Sequence, residues 1–170
     1  IDGTLFRSSL IIEFVEEAIV SGIFTDSVRE EYQETHTAWK QRRHHNAYEE
    51  YIDSVVAAFL RNIAGKEEGE VAHISRRLVE RTHQETYVYT RELVHKLRET
   101  HFVIAISGSN VELVEPFVKN YGFNIWRGSE LEVVDGHYTG RDAKKGLSNK
   151  DITLKNIVSD NNLSYEGSVA

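Results

Sequence analysis

Apolar residues recur at helical spacing through most of the first half of the chain. Over residues 47–65, AYEEYIDSVVAAFLRNIAG, the residues Tyr48, Tyr51, Ile52, Val55, Val56, Phe59, Leu60 and Ile63 stand at i, i+3, i+4, i+7 and i+8. That stripe predicts an amphipathic helix with Gly65 as its stop, and it assigns Tyr48, Tyr51 and Phe59 to the core. Weaker stripes predict a helix over residues 10–20, ended by Ser21-Gly22, another over residues 26–43 with Thr25 as N-cap, and a third over residues 70–82. The four together predict a helical unit.

The pattern changes in the second half. After a predicted helix over residues 90–100 comes HFVIAISGSN, in which Phe102 to Ile106 form a short continuous apolar run that breaks at Ser107-Gly108-Ser109. A run of that length reads as a buried parallel strand, ending in a tight turn into a helix over residues 111–121. Pro116, the only proline, is placed near the start of that helix, where it is tolerated. LEVVDGHYTGR alternates around Asp135-Gly136, a hairpin signal. A last helix is predicted over residues 150–161, and Ser168-Val169-Ala170 reads as the start of another strand. Strand, small-residue turn and helix in succession predict an α/β fold with a parallel sheet.

Composition narrows the class. The 170 residues carry 27 acids against 20 bases, a net charge of −7, which disfavours nucleic acid or an anionic membrane surface as partner and leaves any anionic ligand to be met by local groups. There is no cysteine, hence no disulfide framework or thiolate metal site, and no apolar run of membrane-spanning length. A soluble protein of the cytoplasm is the expectation. Nothing in the sequence bears on oligomeric state.

If Ile1 ends a first parallel strand, Asp2, Gly3 and Thr4 occupy its carboxyl-end loop, and Ser107 to Ser109 occupy the corresponding loop of another strand. That is the edge where open α/β sheets bind ligands. Gly3 and Gly108 let backbone approach an anion, and the amides around Ser107-Gly108, with the helix that follows, offer donors to phosphate oxygens. The crevice reads as a phosphate site.

At these residues the chain resembles the haloacid dehalogenase-like phosphohydrolases, specifically the phosphoserine-phosphatase-like subfamily with a helical cap. IDGTL is similar to that family's first motif, Asp-x-Asp-Gly-Thr/Ser, from its second position onward. VIAISGS resembles the second motif with Ser107, and Lys150 in NKDITLKNIV the third. The resemblance implies a Rossmann-like core formed by residues 1–9 and 89–170, clipped at both ends, with residues 10–88 as the cap. It places the nucleophilic aspartate immediately before Ile1 and an acidic Gly-Asp motif just past Ala170.

It further implies a Mg²⁺-dependent phosphatase acting on a small phosphorylated metabolite through an aspartyl-phosphate. In that scheme Asp2 protonates the leaving oxygen, activates water and ligates Mg²⁺ through its carbonyl. Ser107, Gly108 and Ser109 bind phosphate, and Lys150 offsets negative charge. Phosphoserine itself is disfavoured as substrate, because Ser9 stands where the resemblance expects an amine-binding glutamate; Arg42 or Arg43 would read another headgroup. The alternatives are a phosphotransferase of the same fold and a non-catalytic phosphate-binding or regulatory domain.

Each residue also has a structural reading. Asp2-Gly3 can be a plain turn, Ser107 an N-cap, and Lys150 competes with Lys144 and Lys145. His44 and His45 are adjacent on a predicted helix and point about 100° apart, so a solvated basic patch is favoured over a metal pair. No Gly-x-Gly-x-x-Gly follows a strand, which disfavours a dehydrogenase, and no Walker-type Gly-Lys-Ser/Thr supports an NTPase.

Overall fold

The computed structural model describes residues 1–143 and 149–169. Lys144 and Lys145, the competitors of Lys150, lie outside the described residues. The helices come first. α1 (Leu10–Val20) buries Leu10, Ile11, Phe14, Val15, Ala18 and Ile19, a stripe two residues wide, and Gly22 at φ +82 follows its C-terminal turn. Its buried Glu17 is paired with Arg81 at 2.7 Å.

The segment expected as one helix over residues 26–43 is broken in two. A 3-10 turn covers Asp26–Glu31, and α2 runs over Gln33–Lys40. The break falls at Tyr32, whose φ of −126 is not helical. It lets the Tyr32 ring enter the core while its hydroxyl donates to Glu16 at 2.6 Å. α3 (Ala47–Ile63) buries Tyr51, Val55, Ala58, Phe59 and Ile63 as the stripe predicts, and Gly65 ends it at φ +78. α4 (Glu68–Thr82) packs on α1 and, more extensively, on the helix over Val111–Lys119. α5 (Val88–Leu97) precedes the strand region.

β1 (Ile104–Asn110) pairs in parallel with β2 (Ile125–Ser129), and α6 (Val111–Lys119) connects them. β2 has no period-2 alternation strong enough to announce it, and it is an element the sequence reading missed. The strand was expected to end at Ile106, yet β1 continues through Ser107-Gly108-Ser109. The ladder is in register from Ile104↔Ile125 to Ile106↔Arg127 and resumes only at Asn110↔Ser129. Four residues of β1 advance against two of β2, so the intervening loop bulges outward.

The bulge depends on Gly128. A Cβ there would stand 2.7 Å from the backbone of Val111 and 2.9 Å from the Ser109 carbonyl. We expect Gly128→Ala to force β2 away from the Ser109 loop and destabilise the protein by about 1–3 kcal/mol. Urea denaturation checks this: an unchanged midpoint would show that the loop does not need this close approach.

Pro116 lies well inside α6 rather than near its start. The helix is short, and its apolar face of Leu113, Val114, Phe117 and Val118 is buried, so packing offsets the lost backbone bond. Phe117 meets Phe6 edge-on at 5.3 Å, which ties the first residues of the chain to α6. β3 (Leu131–Val134) and β4 (His137–Asp142) form the expected hairpin, with Asp135 at φ +49 and Gly136 at φ +76 in the turn. It docks on the loop after α3 through bonds between Gly65 and Tyr138 and between Tyr138 and Lys66. α7 (Lys150–Asp160) closes the described chain and packs on β1. Ser168 and Val169 form no strand, and no described helix is long and apolar enough to cross a membrane.

A continuous core joins these elements, running from Leu5 and Phe6 through α1, α3 and α4 to α6 and Tyr138. Within it Ser75 Oγ and Glu112 Oε2 have no hydrogen-bond partner among the described residues. Burial raises Glu112 above the usual carboxylate range, while the Tyr138 hydroxyl donates to its other oxygen at 2.9 Å.

Candidate active site

The loop at the start of the chain is a tight turn. The Ile1 carbonyl accepts the amides of Thr4 at 3.1 Å, Leu5 at 2.8 Å and Phe6 at 3.0 Å, and Gly3 takes φ +68 to allow it. Residues 1–6 form a loop, as expected of Asp2 to Thr4, and their ladder pairings are isolated bridges. The turn aims the Asp2 side chain at two other parts of the fold. Its Oδ1 accepts the Leu10 amide at 2.7 Å, at the first residue of α1. Its Oδ2 accepts the hydroxyls of Ser107 at 2.8 Å and Ser109 at 3.1 Å.

The geometry has a clear electrostatic logic. A carboxylate at the N-terminus of α1 meets an unpaired amide and the positive end of the helix. Ser9, the residue before that helix, makes no side-chain cap, so Asp2 caps it from a distance. Ser107 also accepts the Ser109 amide at 3.1 Å, which locks its hydroxyl hydrogen toward Asp2. Both serines are buried, at 2% and 5% exposure, whereas Gly108 between them is exposed. The Gly108 carbonyl is held by the Ser129 hydroxyl at 2.8 Å, a brace from β2.

Lys150 is the first residue of α7, exposed, with Asn149 capping the helix by accepting the Ile152 amide at 3.2 Å. It lies within electrostatic reach of the backbone at Ile1, next to Asp2. A lysine at the positive end of a helix works against the dipole, so its placement is not one that helix stability selects.

The other predicted residues lie apart. Arg42 ends α2 in the left-handed region at φ 51, and Arg43 donates to Gln41 and lines an open surface depression with Glu30, Gln33, Glu34 and Thr37. No described contact links either arginine to Asp2. His44 faces Glu50 at 3.6 Å. Among the described residues no three His, Asp or Glu side chains are grouped to hold a metal ion.

Two residues near Asp2 escaped the sequence reading. Tyr48, assigned above to the core, is 42% exposed. Burial raises its hydroxyl above the ordinary value, and the Asp2 carboxylate and Tyr87 raise it further, so the three groups share one neighbourhood. Tyr87 arrives through backbone pairing: its amide donates to Leu5 at 3.0 Å, and Arg7 donates to Glu85 at 3.0 Å. Tyr51 and Phe59 are core, as expected. The one available signal for Tyr48 was its place in the first turn of α3, flanked by Glu49 and Glu50, where a stripe residue need not be covered.

A family model described as haloacid dehalogenase-like hydrolase matches residues 1–159. No curated protein matches the sequence. Among solved structures, a protein of unknown function from Bordetella pertussis Tohama I is similar with a TM-score of 0.74 at 15% identity, over 96% of this chain and 74% of that one. That likeness concerns the fold alone. A phosphoserine phosphatase from T. onnurineus, in complex with NDSB-201, is similar with a TM-score of 0.52 at 26% identity, over 93% of this chain and 67% of that one.

Proposed function

This chain belongs to the haloacid dehalogenase-like hydrolase family, and we propose that within it the protein is a phosphatase of small phosphomonoesters. The observation that carries this reading is the Asp2 carboxylate, oriented by the Leu10 amide and the Ser107 and Ser109 hydroxyls at the end of a parallel strand. The likeness to a phosphoserine phosphatase supports the same class of reaction.

Asp2 would act as general acid and then as base. As an attacking carboxylate displaces the ester oxygen from phosphorus, the P–O bond breaks and Asp2 gives its proton to the leaving oxygen. In the second step Asp2 takes a proton from the water that hydrolyses the aspartyl-phosphate. In the family's first motif the attacking aspartate directly precedes the position of Ile1. The Gly108 amide would bind a phosphoryl oxygen, the Ser107 and Ser109 hydroxyls would turn from Asp2 to the phosphoryl group when it binds, and Lys150 would balance its charge. Arg42 and Arg43 would contribute only by reading a headgroup at a distance.

The donor type at Asp2 fits a hard cation, since Mg²⁺ takes oxygen ligands. Asp2 would hold it through its main-chain carbonyl, and the ion when bound would supply neutralisation of phosphoryl charge. We assign residues 10–88 as a helical cover over this edge, fixed to the rest by the α4–α6 packing, and place the protein in the cytoplasm on its cysteine-free composition.

The test is release of inorganic phosphate from a panel of phosphomonoesters by the full-length protein, with and without Mg²⁺. Mg²⁺-dependent turnover of at least one ester is expected. Phosphate binding without turnover on any of them would replace the enzyme by a binding module.

A further inference from the structure

Tyr48 and Tyr87 stand half-open, at 42% and 44% exposure, although both belong to segments packed on the core. Tyr48 does not wave freely. Its ring lies 5.4 Å from Trp39, which stacks at 5.1 Å and 11° on the buried Tyr51. The main chain at Tyr87 is held by its bond to Leu5, in the turn that carries Asp2. Two aromatic faces, that of Tyr48 braced by Trp39 and that of Tyr87 carried on main chain paired with Leu5, thus stand half-open in the neighbourhood of Asp2.

We propose that Tyr48 and Tyr87 form the wall on which the substrate's leaving group lies, and that they select phosphomonoesters whose leaving group carries a planar ring. The inference rests on the phosphatase reading in one respect: if Asp2 hands its proton to the leaving oxygen, the leaving group must project to the side of Asp2 where these tyrosines stand. The electrostatic coupling of Tyr48 to both Asp2 and Tyr87 agrees with that placement. A flat ring against Tyr48, itself backed by Trp39, gains offset or edge-on contact without ordering a flexible side chain.

Trp39 also reports on the wall, because it touches Tyr48 and the only other tryptophan is Trp126. In a Trp126→Phe background of the full-length protein, with Mg²⁺ present, phenyl phosphate and glycerol 3-phosphate are titrated by Trp39 fluorescence, and hydrolysis of both is measured in parallel. Phenyl phosphate is expected to bind about tenfold tighter. Tyr48→Ala should reduce that preference to within about threefold, and Tyr48→Phe should keep it. Tyr87→Ala, which leaves the Trp39 stack untouched, should also reduce it and serves if Tyr48→Ala folds poorly. Equal affinities in the parent protein, or a preference undiminished in both alanine variants, would overturn the wall. A preference that behaves as expected in a protein that hydrolyses neither ester would support the wall and remove the phosphatase reading alone.

Discussion

Asp2→Asn in the full-length protein is expected to lower kcat by about 10²- to 10⁴-fold, the range for loss of a general acid and base. The substitution is nearly isosteric. Asparagine keeps a carbonyl oxygen for the Leu10 amide, and its NH₂ faces the Ser107 and Ser109 hydroxyls, each of which can rotate to accept. What disappears is a proton that can be transferred and a charge at the N-terminus of α1. The charge contributes about 1–2 kcal/mol in this half-buried setting, so the melting temperature should move by several degrees at most. Steady-state kinetics beside thermal denaturation separate the two. Turnover like that of the parent protein would take Asp2 out of the mechanism, and a collapse of the fold would make it a structural cap.

Lys150→Ala is expected to move activity and stability in opposite directions. The side chain is exposed and stands in the first turn of α7, at the positive end of the helix dipole. Alanine there removes an unfavourable charge and has the higher helix propensity, so stability should hold or rise by about 0.3–1 kcal/mol. Activity should fall by about 10²- to 10³-fold, the size of effect seen when a preorganised group facing developing negative charge is removed. Lys144→Ala and Lys145→Ala are the comparisons. Equal and mild effects at all three would show that Lys150 is a surface lysine, while a large loss at Lys150 alone, with an unchanged denaturation midpoint, is the signature of a residue kept for the site.

Much of the local structure was legible before any coordinates. The helix over residues 10–20 begins and ends where the sequence places it, because a stripe of Leu10, Ile11, Phe14, Val15 and Ala18 stops at Ser21-Gly22. The hairpin is read from Asp135-Gly136, residues that enter the left-handed region cheaply. Both signals are short-range and set by backbone sterics and side-chain periodicity. The 26–43 segment shows their limit. Its periodicity is helical, yet burying the Tyr32 ring against the core and its hydroxyl on Glu16 outweighs a continuous helix.

The site divides along the same line. Asp-Gly-Thr and Ser-Gly-Ser were visible as phosphate-type loops, and the lysine at the head of the last helix was visible by its resemblance to a motif. That Asp2 caps α1, that Ser107 and Ser109 both turn their hydroxyls to it across more than a hundred residues, and that Gly128 permits the bulge carrying them could not be seen in sequence. Nor could the position of Tyr48. A helical stripe tells which face of α3 is apolar and is silent on what covers it; Tyr48 is backed on one side by Trp39 and left half-open on the other, where the pairing of residues 5–7 with 85–87 brings Tyr87 alongside. The chain by itself determined most of the helices, the turn chemistry and the residue types of the proposed phosphate site. Which of those residues meet was decided only by tertiary packing, since such contacts depend on the summed burial of α1, α4, α6 and β1 against one core and not on any local preference.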